Sequence, residues 1–388
     1  MSRRYARRLA EIQPFKVMRL LARANELERE GHRVIHMEVG EPDFPTPMPI
    51  SRGGEAALSA GHTRYTPAEG ISELREAIAR YYAEDYGVDI DPRRVIVTAG
   101  GSGALLLTSA LLLNAGEGRW MPDPGYPCNR HFLKSFHGEG QLVPVTPDDG
   151  YQLDGLLLDR YWQPNTRGAL LGSPANPTGA MVSREKLSSI KATLDRRRGF
   201  LIMDEIYHGL TYSPERVFAA LEVDESAFVL NSFSKYFGMT GWRLGWLIVP
   251  DDARGEVEKL AQNLFICPSS IAQYAALEAF TPAAREIMEA QREEFRTRRD
   301  YMVPALRELG FTVAGMPEGA FYVYAKLPAG VGDSEEFCER LLEQHYVAIT
   351  PGTDFGFYLA REHVRFSYAR KLSVLEEGVE RIAGALRI

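Results

Sequence analysis

Lys235 stands inside Asn-Ser-Phe-Ser-Lys-Tyr-Phe-Gly-Met-Thr-Gly-Trp-Arg-Leu-Gly-Trp, residues 231–246, among small hydroxyl residues and glycines and directly after an apolar run. Partial desolvation in such a setting lowers a lysine's pKa and frees its amine as a nucleophile. Ser232, Ser234 and Arg243, the last lying eight residues beyond the lysine, can hold a dianionic phosphate through charge-assisted hydrogen bonds. A free amine for an aldehyde, beside a cradle for an anion, is what pyridoxal 5'-phosphate (PLP) requires. A lysine alone would read as a solvated residue after a strand; the whole segment argues against that.

Other segments could complete such a site. Phe200-Leu-Ile-Met-Asp-Glu-Ile-Tyr207 is an apolar run ending in two acids and a tyrosine. A half-buried acid at a strand end wants a cationic partner, which a protonated pyridine nitrogen would supply. From the residues alone either Asp204 or Glu205 could serve, and Asp204 could instead cap a helix. Thr98-Ala-Gly-Gly-Ser-Gly-Ala-Leu105 joins a strand to an apolar helix, where glycines admit an anion to free N–H groups. Gly172-Ser-Pro-Ala-Asn-Pro-Thr-Gly179 and Pro122-Asp-Pro-Gly-Tyr-Pro127 are turn chemistry. Arg365 lies within the apolar Val364-Arg-Phe-Ser-Tyr-Ala369, where a guanidinium is costly unless it meets a carboxylate, from a substrate or from a structural ion pair.

These segments, in this order, resemble the class I aminotransferases, the aspartate aminotransferase superfamily of fold type I PLP-dependent enzymes. The resemblance runs from Gly40 to the C-terminus. It implies that Lys235 carries PLP as a Schiff base and then shuttles the proton. It implies that Ser232, Ser234, Arg243, Gly101 and Ser102 grip the phosphate, and that Tyr126 stacks on the pyridine ring. Asn176 and Tyr207 would bond the phenolic oxygen, and Asp204 would hold the ring nitrogen's proton. Arg365 would hold the substrate α-carboxylate, with Gly40 of Gly-Glu-Pro-Asp-Phe44 closing over the same group. Tyr65, in Arg64-Tyr-Thr-Pro-Ala-Glu-Gly70, matches a tyrosine that reaches the phosphate of the neighbouring subunit. That match implies a homodimer with shared sites; the plainer reading is a buried loop tyrosine. Some relatives carry a lysine at the position of Ser102 that helps to read an acidic substrate, and this chain does not.

The implied activity is transfer of an amino group between an L-amino acid and a 2-oxo acid by a ping-pong route. A PLP-dependent C–S β-lyase of the same fold is the competing enzyme. A ligand-sensing regulator is a third reading. It expects an added DNA-binding domain, for which a pattern starting at Gly40 leaves no room. Phe15, Tyr65, Tyr126 and Tyr322 are candidate pocket residues, suggesting an apolar or small side-chain pocket. Phe15 is also expected to close over the substrate.

Composition sets outer limits. A net charge of -7 gives no general basic surface for nucleic acid, and the basic start (Arg3, Arg4, Arg7, Arg8) reads as a solvated helix face. Cys128, Cys267 and Cys338 are scattered and odd in number, which argues against disulfides or a thiolate metal site and for a reducing, cytoplasmic setting. No metal constellation is expected from the histidines. The longest apolar run, Ala104–Leu113, is too short to span a bilayer.

The elements that must position these residues follow from periodicity. Helices are expected at 16–31, 71–87, 102–113, 183–198, 269–280, 282–309, 334–344 and 373–386. Strands are expected at 34–39, 94–98, 118–121, 141–145, 168–172, 200–204, 227–231 and 244–249, then at 312–313, 320–326, 347–349 and 364–368. The stretch 40–49 is expected to be irregular. Continuous apolar strands suit a mostly parallel sheet covered on both faces. The chain therefore divides, as expected from sequence, into a large α/β domain at 47–290 and a smaller α+β domain made from 1–46 and 291–388.

Overall fold

The computed structural model describes residues 5–213 and 216–386; Arg3 and Arg4 of the basic start lie outside the described residues. The chain forms β1 (Ile35–His36), β2 (Val95–Thr98), β3 (Gly118–Asp123), β4 (Glu139–Pro144), β5 (Thr166–Gly172) and β6 (Phe200–Asp204). It continues with β7 (Phe228–Ser232), β8 (Gly245–Ile248), β9 (Tyr322–Lys326), β10 (Val347–Ala348), β11 (Thr350–Pro351) and β12 (His363–Ser367). Five helices matter most for the site: α1 (Lys16–Arg29), α2 (Met48–Ser59), α3 (Ser72–Tyr86), α4 (Gly100–Leu112) and α5 (Cys128–Ser135).

Seven strands make the main sheet, in the order β2-β8-β7-β6-β5-β3-β4. Only β8 runs antiparallel to its neighbours. The apolar runs Ala169–Leu171 and Leu201–Met203 are buried throughout, as strands covered on both faces require. The β5–β6 register pairs Gly172 with Asp204, and the β7–β8 register pairs Ser232 with Gly245. Strand ends carrying the chemical motifs therefore meet along one edge, where ligands of such sheets bind. A second sheet, β11-β12-β9, is antiparallel, and β1 pairs in parallel with β10.

Most expected elements form, with two instructive departures. The strand expected over 34–39 shrinks to Ile35–His36, because beyond it the backbone serves other partners: the Glu38 carbonyl accepts from Thr350 Oγ1 at 3.1 Å and from Arg365 Nη2. The irregular stretch expected to run to Pro49 ends instead at Pro47, and α2 begins at Met48 with Pro49 in its first turn, where proline costs no hydrogen bond. Gly53 and Gly54, inside α2, admit close neighbours: a Cβ on Gly53 would lie 2.8 Å from Glu278 Cγ and one on Gly54 2.5 Å from Trp242 Cη2.

A long helix spans Pro282–Glu308. Its Arg298 is buried between Phe44 and Phe295 and pairs with Asp43 at 2.7 Å, which ties the segment after Gly40 to the helix. No helix among the described residues is long and apolar enough to cross a membrane.

Candidate active site

The loop after β7 is built by alternation. Phe233 and Phe237 turn into the core, where Phe233 packs on Trp246 at 4.9 Å between ring centroids and on Phe237 at 5.0 Å. Ser232, Ser234, Lys235 and Arg243 line a cavity of about 670 Å³, while Tyr236 packs on Phe237 in the core. Ser232 Oγ donates to Ser234 Oγ at 2.9 Å and accepts from the Ser234 N–H at 3.1 Å, so the two hydroxyls form one patch. Arg243 adopts a left-handed backbone (φ 55°), and its Nη1 donates to the Thr240 carbonyl at 3.0 Å.

Across from it, α4 opens at Gly100 with φ +69°, a conformation that favours glycine. A Cβ there would lie 2.8 Å from Arg243 Nη2. The bare backbone lets the guanidinium sit against the helix N-terminus, whose first N–H groups have no intrahelical partners. Gly101 and Ser102 of that turn line the cavity. Backbone donors, two hydroxyls and a guanidinium thus converge into an anion cradle.

Lys235 Nζ donates to the Gly40 carbonyl at 2.6 Å and lies 5.8 Å from the ring centre of Tyr207. Removal from water is the main cause that lowers its pKa to about 8; Glu41 opposes that shift, while Arg365 and Arg243 add to it. Asp204 ends β6 in the same cavity, its carboxyl raised to about 7 chiefly by burial. Its Oδ1 accepts from the Ile206 N–H at 3.1 Å, closing a turn and capping no helix. Glu205 turns away: its Oε1 accepts from the Ala220 N–H at 2.7 Å and its Oε2 from the Tyr82 hydroxyl at 3.2 Å. Of the two acids only Asp204 reaches the cavity, because successive side chains at a strand end take opposite faces.

Arg365 lies on β12, buried over the rings of Tyr322 at 4.3 Å and Phe355 at 4.6 Å. Its Nη1 donates to Asn176 Oδ1 at 3.0 Å, its Nη2 to the Glu38 carbonyl, and its Nε has no partner. No structural ion pair holds it among the described residues. An orphan guanidinium N–H in a cavity wall is what an incoming carboxylate would satisfy. The Tyr207 and Tyr322 hydroxyls meet at 2.8 Å, and Phe15, before α1, packs edge-on to Tyr126 at 6.3 Å.

Of the residues singled out from sequence for the site, Phe15, Gly40, Gly101, Ser102, Tyr126, Asn176, Asp204, Tyr207, Ser232, Ser234, Lys235, Arg243, Tyr322 and Arg365 line this one cavity, and Tyr65 does not. Tyr65 is 81% exposed and outside it, so the buried-loop reading of that tyrosine does not hold within the chain. The cavity also brings in residues that periodicity did not bring forward: Met18, Glu41, Arg130, Thr240 and Phe355. Arg130 was legible in principle. The backbone is already helical at Pro127, and the Asn129 N–H bonds the Tyr126 carbonyl at 3.2 Å, so one turn carries Tyr126 and Arg130 to the same wall.

The sequence matches the family described as aminotransferase class I and II over residues 32–382. The valine–pyruvate aminotransferase of Mycobacterium tuberculosis is 38% identical over 97% of this chain and 97% of its own. The aspartate/prephenate aminotransferase of Thermus thermophilus is 34% identical over 98% of each chain. A crystal structure of an aminotransferase from Mycobacterium tuberculosis superposes with a TM-score of 0.96 at 37% identity, covering 100% of both chains.

Proposed function

The chain belongs to the class I and II aminotransferases and is a PLP-dependent transferase of the EC 2.6.1 type with the fold type I architecture, and within that identity we propose the residues that do the work. The activity is transfer of an amino group between small-molecule amino and 2-oxo acids.

In this reading Lys235 bears the cofactor and its amine moves the proton of the substrate α-carbon. The observation that carries it is the lysine in the cavity wall, its amine depressed to about pKa 8, so that roughly a tenth of it is unprotonated at pH 7, far more than of an ordinary lysine. Bound PLP supplies an aldehyde that takes up the amino group and a ring that accepts the electron pair of the α-carbon. The cavity fits that group: Ser232, Ser234, Arg243, Gly101 and Ser102 form the cradle for its phosphate, and Tyr126 offers a ring face. Asp204, which forms no ion pair among the described residues, would hold a proton on the pyridine nitrogen. Asn176 and Tyr207, both in the cavity wall, would hold the cofactor's phenolic oxygen. Arg365 binds the α-carboxylate through its unpaired edge, and Gly40 shapes the mouth beside it. Phe15, Phe355 and the apolar lining exclude water from the reacting carbon.

We further propose that residues 47–290 form the cofactor domain and that 1–46 with 291–388 form the smaller one. The main sheet falls within the first range and both small sheets within the second, which supports the division. A homodimer with shared sites accounts for Tyr65, exposed and outside its own chain's cavity, with Ile266 exposed as well. Cytoplasmic residence accords with three cysteines that are all unpaired.

The first experiment is the visible absorption spectrum of the purified protein, alone and with each common amino acid. A cofactor band that bleaches with particular donors supports the reading and shortlists substrates. No band after addition of PLP would overturn it.

A further inference from the structure

Four cations line the cavity: Arg130, Lys235, Arg243 and Arg365. Under the reading above, three have tasks, on the cofactor aldehyde, the phosphate and the α-carboxylate. Arg130 has none.

Its surroundings leave its charge unspent. Arg130 Nη2 donates to the Asp354 carbonyl at 3.1 Å, and the guanidinium lies 5.4 Å from the ring centre of Phe357. No carboxylate pairs with it among the described residues. Two acids lie within electrostatic range, Asp354 and Asp123, and both are committed elsewhere. Asp354 accepts from the Lys16 and Val17 N–H groups at 3.0 and 3.3 Å, pinning the start of α1. Asp123 accepts from the Phe357 N–H at 3.1 Å and the Tyr358 N–H at 3.2 Å. Packing holds the arginine's helix close: on neighbouring β4, a Cβ on Gly140 would lie 2.5 Å from Met121 Cε and 3.2 Å from Arg130 Cβ.

Asp354 is also within electrostatic range of Arg365, so the two arginines flank one carboxylate in one wall. Around them the cavity is apolar, with Met18, Met121 and Leu142. Both substrates of a ping-pong transferase must use this one site in turn. An apolar wall serves a substrate with an aliphatic side chain, and a lone guanidinium in that wall serves one with a second carboxylate.

We propose that Arg130 is the specificity-determining residue that binds the distal carboxylate of a dicarboxylic 2-oxo acid, while Arg365 holds the carboxylate next to the reacting carbon. With an aliphatic substrate Arg130 rests on the Asp354 carbonyl and the Phe357 ring. This inference rests on the assignment of the cavity as the transaminase site.

The test compares holoenzyme, Arg130→Gln and Arg130→Lys in the second half-reaction, with 2-oxoglutarate and pyruvate as alternative acceptors, and measures glutarate binding to each protein by calorimetry. The expected result is a ratio of kcat/KM (2-oxoglutarate over pyruvate) that falls about ten- to hundredfold in Arg130→Gln and less in Arg130→Lys, with glutarate affinity falling in parallel. Equal losses on both acceptors, or no loss on either, would overturn it, as would a wild-type enzyme that accepts pyruvate but not 2-oxoglutarate. A wild-type protein that bleaches with no amino acid would instead sink the transaminase assignment of the cavity itself.

Discussion

Lys235 Nζ donates its hydrogen bond of 2.6 Å to the carbonyl of Gly40, a residue 195 positions away in sequence. The amine proposed to bear the cofactor is thus held, before cofactor binds, by the backbone proposed to shape the substrate mouth. Capturing an aldehyde needs the neutral amine, and burial brings the lysine to about pKa 8. The rate at which cofactor-free protein takes up PLP should therefore rise with pH through that value. It should be about a hundredfold slower at pH 6 than on the plateau, as for any amine two pH units below its pKa. Stopped-flow absorbance measures it; a rate flat from pH 6 to 9 would remove Lys235 from the role.

Asp204 bears on stability as well as chemistry. Burial raises its carboxyl from 3.8 to about 7, so the folded cofactor-free protein binds a proton more tightly than the unfolded chain. The resulting penalty is absent below the unfolded pKa, grows as pH rises, and is complete above about 7. Asp204→Asn keeps an oxygen for the Ile206 N–H and removes the charge. It should stabilise the cofactor-free protein more at pH 8 than at pH 5, by up to about 2.6 kcal/mol, because the penalty grows by about 1.36 kcal/mol per pH unit from pH 5 to about pH 7. The same variant should lose at least about a hundredfold in kcat with cofactor bound, because the ring nitrogen loses its partner. Thermal melts at the two pH values and steady-state assays measure the two effects; equal gains at both pH values would contradict the sign.

Gly40 has no room for a side chain, since a Cβ there would overlap the Tyr322 hydroxyl. Gly40→Ala should displace Tyr322, whose ring lies under Arg365 at 4.3 Å, and so raise KM for the amino acid by about tenfold or more. Removing the hydroxyl in Gly40→Ala with Tyr322→Phe should recover part of that loss. A double variant no better than the single one would show that the glycine acts through something other than this overlap.

Tyr65 can be assigned to one subunit or the other by mixing inactive chains. If it serves the partner's site, a hybrid of Lys235→Ala and Tyr65→Phe chains contains one site with both native residues. Activity should then rise on refolding the two variants together, above the sum of the separate homodimers. A hybrid no more active than that sum would place Tyr65 in its own chain's site or in none. Sedimentation of the wild-type protein checks the dimer itself.

Legibility in the sequence depended on range. Chemistry confined to one turn was readable: Ser232, Ser234 and Lys235 follow a buried strand, and Gly100–Ser102 opens a helix, so spacing alone implied a cradle. Buried strands were readable because their apolar runs are continuous. Helix α2 was not, because Gly53 and Gly54 are unfavourable inside a helix and gain their sense only from distant neighbours, Glu278 beside Gly53 and Trp242 beside Gly54.

By itself, the sequence determined the family, the alternation of strands and helices, and which side chains could do chemistry, since these follow from residue type and short spacing. Only the tertiary structure decided between Asp204 and Glu205, because that choice depends on which face of β6 borders the cavity. It alone set Arg365 against Asn176, put Tyr65 outside, and brought Arg130 into the wall with no ion pair among the described residues. Those relations join segments far apart in the chain, and their geometry is fixed by the packing of sheets and helices against each other, which no local periodicity encodes.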